Sequence, residues 1–153
     1  MNQLNVLGKK LELCCSNPVT GAYRDGYCNT GINDFGTHTV CAIVTNKFLQ
    51  FSKSNGNDLT TPNPYYSFKG LKEGDKWCLC VSRWVEAYEA GCAPNLLLEA
   101  TNIKTLDYVC FENLLEYKAW IKAYAYPPPL VLLFLNHINM LGIHWLYLKY
   151  NSI

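Results

Sequence analysis

The chain has 153 residues, half of them hydrophobic and 16% charged, with a formal net charge of +1 at pH 7. That size and balance suit one ordinary domain with its own core and exclude an intrinsically disordered chain. No run of lysine or arginine occurs, so the electrostatic footprint of a nucleic-acid binder is missing and no nucleic-acid partner is expected. Eight cysteines are an enrichment, about 5%, yet below the density of a disulfide scaffold. The opening MNQLNVLGKKLEL lacks a basic-then-apolar leader pattern, so the expected location is cytoplasmic. Thiols stay reduced there, and an even cysteine count then says little about bridges.

Val6 to Leu13 reads as a short hairpin about a Gly8-Lys9 turn. The polar stretch from Cys14 to His38 follows, with Gly21, Gly26, Gly31 and Gly36 and no apolar period. A loop of this length inside a small domain is either functional or held together by its own side chains. TVCAIVT, residues 39–45, is a β-branched run and reads as a buried strand. Thr45 suits the N-cap of a helix over about 46–55, with Val44 stapled to Leu49 and Gly56 at the C′ position.

Lys76 to Val81 reads as a second strand. Ser82 suits the cap of a short helix through Tyr88, which Gly91 ends and Pro94 keeps from restarting. NLLLEA, residues 95–100, reads as a further strand, and the connection to it approaches the minimum for a parallel crossover. Glu112 to about Tyr124 has the helical period, with acids early and lysines late. The chain then changes character. A Pro-led hydrophobic extension covers residues 126–153, and its Leu130–Tyr150 stretch is long enough to cross a bilayer but is interrupted by Asn136, His137, Asn139 and His144. Three readings compete: a membrane anchor, which would make the protein membrane-associated; a helix packed on the domain or a partner; or an appended segment without a selected fold. The expected architecture is α+β, a single domain over residues 1–125 with a compact mixed sheet, a few short helices and a long N-terminal loop.

Several tracts, LELCC, YRDGYC, GNDLTTP, GDKWCLC and LEAT among them, together resemble the bacterial and eukaryotic family of unknown function DUF2237 from about Asn5 to Asn113. The resemblance implies a small, single-domain, cytosolic protein and implies no activity. The family pattern often has histidine after the LEAT tract, where this chain has Asn102, so a catalytic role for that histidine would not carry over. Family members usually end soon after the final helix, which leaves the segment from Pro127 onward outside the resemblance.

On a strand over 76–81, Trp77, Leu79 and Val81 share the core face, and Cys78 and Cys80 share the other. Neighbours at that spacing are poorly placed to bridge each other, and the spacing differs from that of a redox pair. Two thiolates on one face can share zinc. The candidate metal set is Cys15, Cys28, His38, Cys78 and Cys80, although no standard zinc spacing occurs. Cys41 and Cys110, inside apolar runs, read as packing residues. A second constellation is polar. Arg24 and Arg83 suit a carboxylate or phosphate, and Asp25 and Asp58 an amine or cation, with Asp34, Asn57, Thr60 and Thr61 nearby in loops. The competing reading is that Asn57, Asp58 and Thr60 satisfy their own backbone.

Three functions follow. The loops bind a metal ion or a small polar ligand. Alternatively, Cys28 or Cys80 is the nucleophile of a thiol-dependent small-molecule enzyme with His38 as base. Or the protein is structural, an interaction partner without chemistry. Convergence of the metal set, or a cysteine within reach of His38, separates the first two from the third.

Overall fold

A computed structural model describes residues 3–119. The β-branched run condenses into β1 (Val40–Ile43), and KWCL forms β2 (Lys76–Leu79). A two-residue strand, β3 (Asn95–Leu96), completes a sheet of order β2-β1-β3. Both neighbours pair antiparallel to β1, with Cys41 opposite Cys78 and Ala42 opposite both Trp77 and Leu96. The expected crossover is therefore real in direction but spans β1, so β2 and β3 never pair with each other. A parallel bridge, Leu96 with Lys118, adds to the outer side of β3. The fold is α+β.

Three α-helices attend the sheet: α1 (Asn46–Ser54), α2 (Val81–Glu89) and α3 (Phe111–Glu116). Short 3₁₀ turns lie at Pro64–Tyr66, Leu98–Ala100 and Ile103–Asp107. The Thr45 side chain accepts from the Phe48 N–H at the start of α1, as its residue type predicts. At the other end Gly56 has φ +79, and Gly56 and Asn57 donate to the Lys53 and Ser52 carbonyls. This left-handed turn closes the last orphan carbonyls of the helix, and glycine adopts it without a Cβ clash.

Four expected elements are corrected. The 6–13 hairpin is a single bridge, Leu4 with Lys10, whose turn is held by the Asn5 side chain accepting from Leu7 and Lys9. The strand over 76–81 stops at Leu79, and Cys80, not Ser82, caps α2. NLLLEA keeps only two strand residues, because Leu98–Ala100 tightens into a 3₁₀ turn. The last helix ends at Glu116, where Tyr117 and Ala119 turn their backbone toward Leu96. Its expected continuation to Tyr124, and the whole 126–153 extension, lie outside the described residues. No helix among the described residues is long and apolar enough to cross a membrane.

The two faces of the sheet serve different layers, as a period of two requires. Val40, Ala42, Trp77 and Leu79 pack with Phe48 and Leu49 of α1 and Val81, Trp84 and Ala87 of α2. Trp84 is fully buried, and its indole N–H donates to the Pro94 carbonyl at 3.1 Å. The opposite face carries Cys41 and Cys78 and packs against Cys14, Cys28, Leu97 and Ala100. The helices thus cover one side of the sheet, and the polar N-terminal segment covers the other.

Candidate functional site

The Cys14–His38 segment is fastened to the sheet by two disulfides, Cys14–Cys41 and Cys28–Cys78. This corrects the expectation of reduced cysteines. Strand pairing brings Cys41 beside Cys78, and folding the loop over them lays Cys14 and Cys28 on top, contacts between residues far apart in sequence. The loop adds its own hydrogen bonds. Cys14 and Cys15 both donate to the Gly26 carbonyl, and Gly26 donates to Thr20. The Thr20 hydroxyl in turn accepts from the Cys78 N–H at 2.8 Å.

The end of this loop delivers a constellation of three side chains. Asp34 is buried and accepts twice from His38: from the backbone N–H at 2.7 Å and at the ring Nδ1 at 2.6 Å. Cys80 sits at the N-terminus of α2 with its thiol beside the His38 imidazole. Gly36 lies against both: a Cβ there would stand 2.4 Å from His38 Cε1 and 3.0 Å from Cys80 Sγ. The loop is tied to the helix as well. The Thr37 carbonyl accepts from the Val81 N–H at 3.0 Å, and Thr37 holds φ +49, uncommon for a β-branched residue.

The electrostatics follow from that contact. The hydrogen bond with Cys80 raises the His38 pKa most; burial opposes it, the Asp34 hydrogen bond adds to it, and the value reaches about 9. Burial works against the Asp34 charge, but the His38 ring, backbone N–H and charge together hold its carboxyl below the ordinary value. The side chain of Asp34 is 1% exposed and that of His38 35%, so the carboxylate is hidden while the imidazole reaches solvent. A helix N-terminus and a protonated imidazole both stabilise negative charge on sulfur.

A family model matches a span of the chain that includes both disulfides and Asp34, His38 and Cys80. This chain belongs to the DUF2237 family. That family is described as an uncharacterized protein conserved in bacteria, and the match covers residues 4–118. A search of curated proteins finds no match. Asn102, after the LEAT tract of this DUF2237 chain, is buried. Its side chain donates to the Gln3 side chain and to the Cys28 carbonyl, and accepts from the Lys104 N–H.

The remaining sequence-predicted residues divide. Cys28 and Cys78 are bonded to each other, which removes Cys28 as a free nucleophile in this state. Cys15 is a free thiol beside Gly26. Among the described residues, the group of acids, cysteines and histidines close enough to hold a metal is Cys14, Cys28 and Cys78, with ligand atoms within 4.8 Å. The expected five-residue set does not converge, because Cys78 points into the disulfide layer while Cys80 has left the strand for the helix. Cys41 is bridged and Cys110 is exposed at the cap of α3, so neither is the buried free thiol expected.

Arg24 and Asp58 line one cleft of about 320 Å³ with Thr61, Tyr66 and Trp77. Arg24 lies 5.1 Å above the Trp77 ring. Asp58, however, is engaged by the backbone and hydroxyls of Thr60 and Thr61 and by Lys53. Those hydroxyls, then Lys53, hold its carboxyl far below the ordinary range. Asp25 accepts from Tyr27 and Asn29 within its own turn, and Arg83 pairs with Glu86. The four do not assemble into one ligand site. Sequence reasoning placed Asp34 among the polar loop residues and gave it no role toward His38. The four-residue spacing within a glycine-punctuated turn was the available signal.

Proposed function

We propose that this DUF2237 chain is a thiol-dependent enzyme acting on small molecules, with Cys80 as nucleophile, His38 as proton acceptor and donor, and Asp34 as the group that orients the imidazole. The observation that supports this reading is the buried Asp34 carboxylate 2.6 Å from His38 Nδ1, with the Cys80 thiol on the same ring. With Nδ1 held by Asp34, Nε2 is the nitrogen left to exchange a proton with sulfur.

The reaction class is covalent catalysis at an electrophilic carbon, such as an acyl carbon. With His38 already holding the proton at neutral pH, its pKa being raised to about 9, the Cys80 sulfur lone pair forms a bond to that carbon. As the bond to the leaving group breaks, His38 returns the proton to it. Water then attacks the thioester, giving one proton to His38, and Cys80 leaves as the thiolate. The start of α2 supplies the donor for negative charge on the substrate oxygen. Thr37 takes the Val81 N–H, and the Cys80 carbonyl takes those of Arg83 and Trp84. The Ser82 N–H, at the second position of α2 and two residues after Cys80, has no backbone acceptor among the described residues. Ile32 and Phe35, both almost fully exposed in the same loop, offer apolar contact for a substrate.

The test is competitive alkylation of the four free thiols, Cys15, Cys80, Cys92 and Cys110, with limiting iodoacetamide at neutral pH, read by peptide mass spectrometry. Cys80 is expected to react at least about tenfold faster than Cys110, although Cys110 is the more exposed. His38→Ala is expected to abolish that advantage. Equal rates at Cys80 and Cys110 would sink the proposal.

A further inference from the structure

Cys41 and Cys78 face each other across the β1–β2 ladder, yet each is bonded to a loop cysteine and not to its partner. The four residues form one cluster, none more than 3% exposed. The sulfurs of Cys14, Cys28 and Cys78 lie within 4.8 Å of one another, and that of Cys41 is bonded to Cys14. Four sulfurs around a tetrahedral zinc ion, at bonds near 2.3 Å, stand about 3.8 Å apart. The cluster already occupies that volume.

We propose that the reduced form of this chain binds one zinc ion through Cys14, Cys28, Cys41 and Cys78, so that the layer holding the loop to the sheet exists in a disulfide state and a metal state. Each cysteine is anchored by its backbone independently of its bridge. Cys14 donates to Gly26 at 2.9 Å, Cys41 to the Thr101 hydroxyl at 3.2 Å and Cys78 to the Thr20 hydroxyl at 2.8 Å. The Cys28 carbonyl accepts from Asn102 at 3.0 Å. Opening the sulfur–sulfur bonds therefore frees side-chain torsions and leaves the four Cα positions held. The ligand set is all sulfur, which selects a thiophilic metal over magnesium or calcium. Leu97 and Ala100 pack around it and keep water from competing. Because the ligands come from four separate segments, one ion closes the same loops that the bridges close.

The chemistry balances as follows. Two dithiol reductant molecules give four electrons and four protons to the two disulfides and become disulfides themselves. The four thiols then exchange their four protons for one zinc ion, and the protons pass to solvent. A disulfide-class oxidant runs the exchange backward and expels the metal. The site uses none of Asp34, His38 or Cys80, so its fate is independent of the enzymatic reading.

The experiment uses the full chain, reduced without oxygen, offered zinc, passed through a desalting column and read by metal mass spectrometry and zinc X-ray absorption. The expected result is about one zinc per reduced chain, in a shell of four sulfurs, and none on the oxidised chain. Cys80→Ser is expected to bind as the parent does, and Cys28→Ser to lose the all-sulfur shell. The wild-type stoichiometry and shell stand even where Cys28→Ser fails to fold. No retained zinc on the reduced chain, a shell containing nitrogen or oxygen, or loss of zinc in Cys80→Ser overturns the proposal.

Discussion

Gly36→Ala is the sharpest perturbation of the Cys80–His38 contact. Gly36 does not belong to the glycines with positive φ, so alanine meets no backbone penalty there, and only the added methyl group matters. That methyl would stand 2.4 Å from His38 Cε1 and 3.0 Å from both His38 Nδ1 and Cys80 Sγ. Carbon atoms pack comfortably at about 3.5–4.0 Å, so the ring must retreat by roughly 1 Å. The Asp34–Nδ1 bond, now 2.6 Å, would then stretch beyond useful hydrogen-bond range. Misplacement of that size costs an oriented reactive pair up to about a hundredfold in rate, while overpacking of a half-buried site costs about 1–2 kcal/mol of stability. The assay is the second-order rate of Cys80 alkylation against pH, with urea unfolding alongside to confirm that the variant is folded. A folded Gly36→Ala chain with the parent's rate and pH profile would refute the reasoning, since it would show that the pair does not depend on this close approach.

Four further outcomes are expected. The His38 ring should titrate near pH 9 by NMR, and Cys80→Ser should lower that value, because the thiol is its largest cause; an unchanged midpoint would contradict the contact. The sign for stability follows from the same shift. A histidine pKa raised from 6.5 to about 9 contributes stability that is complete below pH 6.5 and lost as pH rises through 9. Urea unfolding from pH 6 to pH 10 should show that decline in the parent and a flatter profile in His38→Ala. Asp34→Asn should slow Cys80 alkylation by about tenfold or more, through lost orientation of the ring and a lower proton affinity, and an undiminished rate would remove Asp34 from the site. Reduction in metal-free buffer should destabilise the fold markedly. The bridged residues are 27 and 50 positions apart, and chain entropy assigns loops of that length about 3.5–4 kcal/mol each when taken singly. An unchanged urea midpoint on reduction would mean that the loop is held without its bridges.

Local chemistry made much of the chain legible. Thr45 and Gly56 bounded α1 because capping is decided within a few residues. Val40–Ile43 and Lys76–Leu79 declared themselves by β-branched and alternating residues, and the alternation put Trp77 and Leu79 in the main core and Cys78 on the other face. The family tracts were legible because they are contiguous. The reading failed where the deciding contact was distant. Cys80 looked like a strand residue because nothing local marks Leu79 as the last, whereas the Thr37 carbonyl, more than forty residues away, receives the Val81 N–H that opens α2. Asp34 and His38 were both visible as loop polar residues, but a loop without a period gives no direction to its side chains. The sequence by itself therefore determined the α+β class, the helix caps and the two-faced strand. The tertiary structure alone decided which cysteines bridge and which thiol meets the histidine. Those choices depend on how a polar loop is laid across a sheet, and residue type and spacing carry no information about a contact closed by chain topology.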